Sequence, residues 1–167
     1  MKTLIFIASS FILLSSFSCQ KEDFTQPSIS NSNAVVGKWR LTGIFQGDVI
    51  SRPCIVNTSG SDITLEITDN QSNGSNFSGQ SVVNDYLGNY EAKADGTFKI
   101  KELGSTKKAG TSEMMQCEGN YFEYLRMAEG YKILSDSGKT ILQLGIFKKP
   151  NSEWYDGGTY LIYERIK

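Results

Sequence analysis

The chain has 167 residues, 39% of them hydrophobic, with 17 Lys and Arg against 18 Asp and Glu, and this near balance leaves no electrostatic footprint for nucleic acid. Histidine is absent, which removes the commonest general base, metal ligand and pH switch and excludes Ser-His-Asp and Cys-His chemistry. A zinc site would need cysteines and carboxylates alone, and three cysteines are too few, so no metal or cofactor is expected.

Met1-Lys2-Thr3 opens the chain with a positive charge, and Leu4 to Leu14 follows as an apolar run broken only by Ser9 and Ser10. A bilayer-spanning helix needs about 20 residues; this run has the length of a signal-peptide core. Residues 1–18 are therefore expected to be a signal peptide. Ser15, Ser16 and Ser18 lead into Cys19. This stretch resembles the lipobox of bacterial lipoproteins, in the looser Bacteroidetes form, with Ser16 where Leu is usual and a bulky Phe17. The resemblance implies a diacylglycerol on the Cys19 thiol, with palmitate-type chains, and a mature chain that begins there. Each buried methylene contributes about 0.8 kcal/mol, and two or more chains anchor stably. Gln20-Lys21-Glu22-Asp23 resembles the lipoprotein export signal of the same group, which implies an outer-membrane address facing the cell surface; the plainer alternative is a charged tether. Residues 19–34 are polar, cannot bury a core, and read as a lipidated flexible tether.

The globular part, residues 35–167, suits one domain. Trp39, Leu41 and Phe45 alternate with polar residues over Gly37 to Phe45 and predict a strand with one buried face. Gln46-Gly47-Asp48 reads as a turn, and a polar, irregular stretch to Ser61 holds Pro53 and Cys54. Ile63, Leu65 and Ile67 make the clearest alternation, and Asp69 to Asn76 is a loop by composition. Strands follow at Phe77 to Val83 and Asn89 to Ala94; Asp95-Gly96 is a hairpin signal, and Thr97 to Leu103 leaves it. Gly104 to Thr111 is a loop. Met114, Cys117, Tyr121, Phe122 and Leu125 then fall on one face of a helix, with Ser112 as N-cap and Glu113 suited to the positive helix start. Gly119 weakens that helix by about 1 kcal/mol relative to Ala. Strands return at Tyr131 to Leu134 and Thr140 to Phe147 around Asp136-Ser137-Gly138, and Thr159 to Ile166 closes the chain. About eight short strands and one helix predict a mainly β protein, a small curled antiparallel sheet or barrel with the helix covering an open side or end. Trp39, Phe45, Phe98 and Phe122 read as core. With Cys19 set aside, Cys54 and Cys117 remain, and outside the cytoplasm an even pair reads as a disulfide, against two buried thiols.

Three pieces of the chain match a known pattern together. Phe77-Ser78-Gly79 runs through Asn84, Tyr86, Gly88 and Tyr90; Ser105-Thr106-Lys107-Lys108-Ala109 follows; then Glu118-x-x-Tyr121-Phe122-x-x-Leu125. With Tyr131-Lys132-Ile133 and Leu142-Gln143-Leu144, their order and spacing resemble the META domain (HslJ-like) family over Val35 to Ile166. The family's two frequent cysteines fall on Val83 and Gly110, and their joint loss fits a pair that touch in relatives. A replacement bridge between Cys54 and Cys117 would place Cys54 against the helix bearing Cys117. The resemblance implies an envelope protein tied to stress tolerance, with no catalytic residues to carry over.

The remaining chemistry is weighed against ordinary surface roles. Glu66 with Asp69, Glu91 with Asp95, and Glu113 with Glu118 offer carboxylate pairs of the glycosidase kind, but strand alternation sets most of them on the solvent face, and no enzyme is expected. Lys107 and Lys108 precede a helix and suit a phosphate or a partner's acidic group, or a solvated loop. Trp154-Tyr155 in a turn suits a glycan or a partner interface, or rings folded over the barrel rim. The expected partners are the membrane, through the anchor, and an envelope protein or glycan. The strand pattern and Gly37-Lys38-Trp39 also resemble lipocalin-like (calycin) small-ligand carriers, which need an apolar interior cavity.

Overall fold

The computed structural model describes residues 32–53, 62–70, 74–147 and 158–166. A 3-10 turn at Ser32–Val35 leads into nine strands and one helix: β1 Gly37–Gln46, β2 Val49–Ser51, β3 Thr64–Asn70, β4 Gly74–Gln80, β5 Asp85–Ala92, β6 Phe98–Ser105, α1 Ser112–Arg126, β7 Gly130–Asp136, β8 Lys139–Phe147 and β9 Gly158–Ile166. All strand pairs are antiparallel in one sheet of order β6-β5-β4-β3-β1-β9-β8-β7, with β2 added to β1. The ninth strand is β2, a short exposed piece in the stretch expected to be irregular.

The sheet curls without closing. Its two edge strands meet through an isolated bridge, Thr97 to Gly130, flanked by Phe98 N–H to Glu129 O at 3.0 Å and Tyr131 N–H to Gly96 O at 2.8 Å. Of the two expected forms, curled sheet or barrel, the curled sheet is the one observed, pinned at one point, and α1 packs against β6, β8 and β9. The hairpin signals hold: Gly96 has φ +88°, and Ser137 and Gly138 both have positive φ, as a two-residue turn between right-twisted strands requires.

The inward face is filled by Trp39, Leu65, Ile67, Phe98, Leu142, Leu144, Leu161 and Tyr163, each 2% exposed or less. Cys117, Tyr121, Phe122 and Leu125 supply the buried face of α1, as the helical spacing predicts, while Met114 is only half-buried. The N-cap is Thr111, one residue before the expected Ser112; its hydroxyl accepts from Met114 N–H at 3.3 Å. Phe45 is not core. Between Leu41–Tyr163 and Gly43–Ile162 the β1–β9 register shifts by one residue. Thr42 is the extra residue, so alternation reverses beyond it. Ile44 then points inward, and Phe45 stacks outside on Tyr160 with ring centroids 4.5 Å apart.

Aromatic rings on the inward face lie over glycines of the neighbouring strand. Phe77 pairs with Gly88 and Tyr86 with Gly79 across β4 and β5. A Cβ on Gly88 would stand 2.5 Å from the Phe77 ring and 2.0 Å from the Glu102 carbonyl. One on Gly79 would meet the Thr64 carbonyl at 2.0 Å. These glycines are therefore steric requirements of the sheet. At the other end of the fold Arg165 closes the entry of the chain. Its guanidinium lies 4.5 Å from the Trp39 ring and donates to Ala34 O and Val36 O at 2.9 and 3.2 Å, while Trp39 Nε1 donates to Val35 O.

Candidate functional site

The three motif pieces converge on one buried carboxylate. Glu118, in the middle of α1, is 4% exposed. Its Oε2 accepts from the Ser81 hydroxyl, from Val83 N–H at 3.0 Å and from Asn84 N–H at 2.8 Å; its Oε1 accepts from Asn84 Nδ2 at 2.6 Å. Asn84 then turns its Oδ1 to the second piece, accepting from Thr106 Oγ1 at 2.8 Å and Lys108 N–H at 2.7 Å. One amide thus ties the 81–84 turn, the 106–111 loop and α1 together. Burial alone would push the Glu118 carboxyl up, but these donors outweigh it and hold it below the usual carboxylate value. Glu118 thus lies on the buried face of α1 with Cys117 and Tyr121, so it and Glu113 do not form a solvent-facing carboxylate pair.

Beside this hub runs a line of buried tyrosine hydroxyls. Tyr86 donates to Thr64 O at 2.6 Å, lies 2.6 Å from Tyr121, and Tyr121 lies 3.1 Å from Tyr163. Because Tyr86 spends its one proton on the carbonyl, Tyr121 must donate to Tyr86 and Tyr163 to Tyr121. Burial, first of all, raises all three well above the ordinary tyrosine value. Tyr163 belongs to no motif and gave no signal beyond strand alternation; Ser81 likewise stood outside the quoted residues.

Of the residues singled out from sequence, Cys19, Gln20, Lys21, Glu22, Asp23, Cys54, Trp154 and Tyr155 lie outside the described residues. Cys117 is buried on α1 and lines a cavity of about 140 Å³ together with Pro53, Arg52 and Tyr121. Lys107 and Lys108 are exposed, and Lys108 Nζ pairs with Asp85 at 2.6 Å. Glu66 pairs with Lys38 at 3.5 Å, and Glu91 with Lys101 at 2.6 Å. Val83 and Gly110 do touch: a Cβ on Gly110 would stand 2.7 Å from Val83 Cγ2. Among the described residues no group of three or more His, Cys, Asp or Glu is placed to hold a metal.

A cavity of about 680 Å³ is formed by Thr64, Gln80, Asp85, Leu87, Gly104 and Thr106, among others. Ser78, Leu87 and Gly104 share one cross-strand row, all exposed, so this depression lies outside the sheet and not in its side-chain-filled interior. Nothing in the described interior favours a lipocalin-like carrier.

An open, curled antiparallel sheet whose single helix is pinned by a buried Glu-Asn-Thr network defines a β-rich architectural class with motif residues in structural positions. The META domain family model matches residues 32–146, and the chain belongs to that family. Among solved structures it is similar to an NMR structure of a protein from Burkholderia xenovorans, with TM-score 0.62 and 23% identity over 84% of this chain and 90% of that one, a likeness of fold. No curated protein matches the chain.

Proposed function

We propose that this META-domain chain is a lipid-anchored outer-membrane protein with a non-catalytic role in envelope maintenance or stress tolerance, exerted by binding another envelope component. One observation carries the non-catalytic reading: Asn84, Thr106 and Glu118, the motif residues with the richest chemistry, spend their polar groups on one another. A carboxylate held by four donors and kept below its usual pKa is a poor general acid or base near neutral pH. Anchoring rests on Cys19 and the apolar run ahead of it, and surface display on Gln20-Lys21-Glu22-Asp23. Trp154, Tyr155, Lys107 and Lys108 remain the candidate contacts for a glycan or protein partner. A bridge between Cys54 and Cys117 is part of the same reading, since Pro53 and Cys117 line one small cavity; peptide mapping without reductant would find the two cysteines in one disulfide-linked fragment.

The experiment is metabolic labelling with a palmitate analogue, followed by protease treatment of intact cells. The native chain should take up label and be digested. Cys19→Ser should lose label, and a Lys21→Ala, Glu22→Ala, Asp23→Ala variant should keep it but be protected. An unlabelled native chain would reject the anchor; equal protection of native and triple variant would move the protein to the periplasmic face.

A further inference from the structure

Two glycines in regular structure have no reason for being glycine within the fold. Gly104 stands in the edge strand β6 and Gly119 in the interior of α1; neither has positive φ, and a Cβ at either would meet nothing within 4 Å. Glycine weakens both kinds of element, and in a strand it often marks where another molecule's backbone approaches closely. Both open onto the same part of the surface. Gly104 lines the outer depression with Leu87, Gly119 lines a cleft of about 380 Å³ with Met115, and the two hollows share Ser105 and Thr106 as a ridge. Leu87 and Met115 are exposed by 66% and 42%. Each hollow therefore pairs an apolar side chain in water with a bare stretch of backbone.

We propose that this surface, running from Leu87 and Gly104 over the Ser105–Thr106 ridge to Met115 and Gly119, docks an extended segment of a partner polypeptide that sets an acidic group on Lys107. The proposal rests on the binding-module reading above and is independent of the anchor. Both hollows are open depressions, whereas a small-molecule site buries most of its ligand's surface. Two apolar anchors on either side of a cation match a chain of alternating side chains better than a headgroup. Charge fixes the register. Lys108 is engaged by Asp85, and Glu118 by its four donors, whereas Lys107 forms no ion pair among the described residues. Asp85, which lines the Leu87 hollow, repels an acid placed there.

The test places photo-crosslinking residues in the full chain, in its own cells, at Ser78 and Gln116, which neighbour Leu87 and Met115, and at Ile162 on the far half of the sheet as control. The expected result is one and the same polypeptide captured from Ser78 and Gln116 but not from Ile162, with a partner fragment carrying Asp or Glu. Lys107→Glu should abolish the adduct, while Cys19→Ser reports the anchor separately. Gly104→Thr with Gly119→Ala should also abolish it while raising the Tm of the purified protein by a few degrees, about 2–4 °C per substitution. Adducts to lipid or glycan, different partners from the two sites, or an adduct unchanged in the glycine variant would overturn the proposal. So would a Tm that falls, because the glycines would then serve the fold.

Discussion

Replacing Glu118 with Ala removes the acceptor of four hydrogen bonds, from Ser81, Val83 N–H and both nitrogens of Asn84. A buried donor left unsatisfied costs about 1–3 kcal/mol. Water can re-enter through the cleft beside Gly119 and Phe122, so the four do not add in full, and the expected loss is about 3–5 kcal/mol, the range for breaking a buried charged interaction. Glu118→Gln keeps one acceptor but presents a donor to donors. Asn84 cannot flip to compensate, because its Oδ1 already serves Thr106 and Lys108, and the expected cost is about 1–3 kcal/mol. The carboxyl is held low in the folded state. Its contribution is therefore complete above the unfolded value of about 4.3 and is lost as pH falls through the lower folded value. Half-buried Glu91 and exposed Asp95 are also held low, by Lys101 and by Thr97 respectively. The difference between native protein and Glu118→Gln isolates the buried group. Urea unfolding followed by far-UV dichroism at neutral pH and at about pH 3 measures both effects. A loss below about 1 kcal/mol for Glu118→Ala, or parallel acid profiles for native and Gln variant, would refute the hub.

Val83→Cys with Gly110→Cys should oxidise after a shift of a few tenths of an ångström, because the γ position of residue 83 lies 2.7 Å from the new Cβ; closing that loop should add about 3 kcal/mol, read as a Tm difference with and without reductant. Arg165→Ala should cost about 1–2 kcal/mol through the lost Trp39 contact and two carbonyl partners, with faster amide exchange confined to the segment around Val36. At high pH the sign reverses from the acid case. Tyr86, Tyr121 and Tyr163 stay protonated in the fold above the ordinary value, so stability should fall as pH rises past about 10, where the unfolded chain ionises. Tyr163→Phe should flatten that fall, as followed by tyrosinate absorbance.

Local patterns were legible where one element decides its own geometry. Leu65 and Ile67 alternate into the core, Cys117, Tyr121, Phe122 and Leu125 line one helix face, and Asp95-Gly96 and Ser137-Gly138 turn. What failed needed a second element. Phe45 follows the alternation of Trp39 and Leu41 on paper, and only the extra Thr42 against β9 reverses it. Helical spacing sets Glu118 beside Cys117 and Tyr121, but the donors that make a buried carboxylate tolerable come from the 81–84 turn. Its place in a motif with Asn84 and Thr106 was visible, but not that the three touch. The Val83–Gly110 contact was readable because two substitutions at matched motif positions point to each other.

The strand order has a consequence for how the chain is made. β9 lies between β1 and β8, so β1 keeps an open edge until Gly158–Ile166 has left the ribosome. At about 5–20 residues per second that interval lasts roughly 6–24 seconds. The hairpins β3 to β6 and β7 to β8 can assemble in the meantime, but as two separate halves. Only β9 zips them into one sheet and brings Arg165 onto Trp39. A nascent chain that has made every strand but β9 therefore stays as two unjoined halves, with the inner edges of β1 and β8 open.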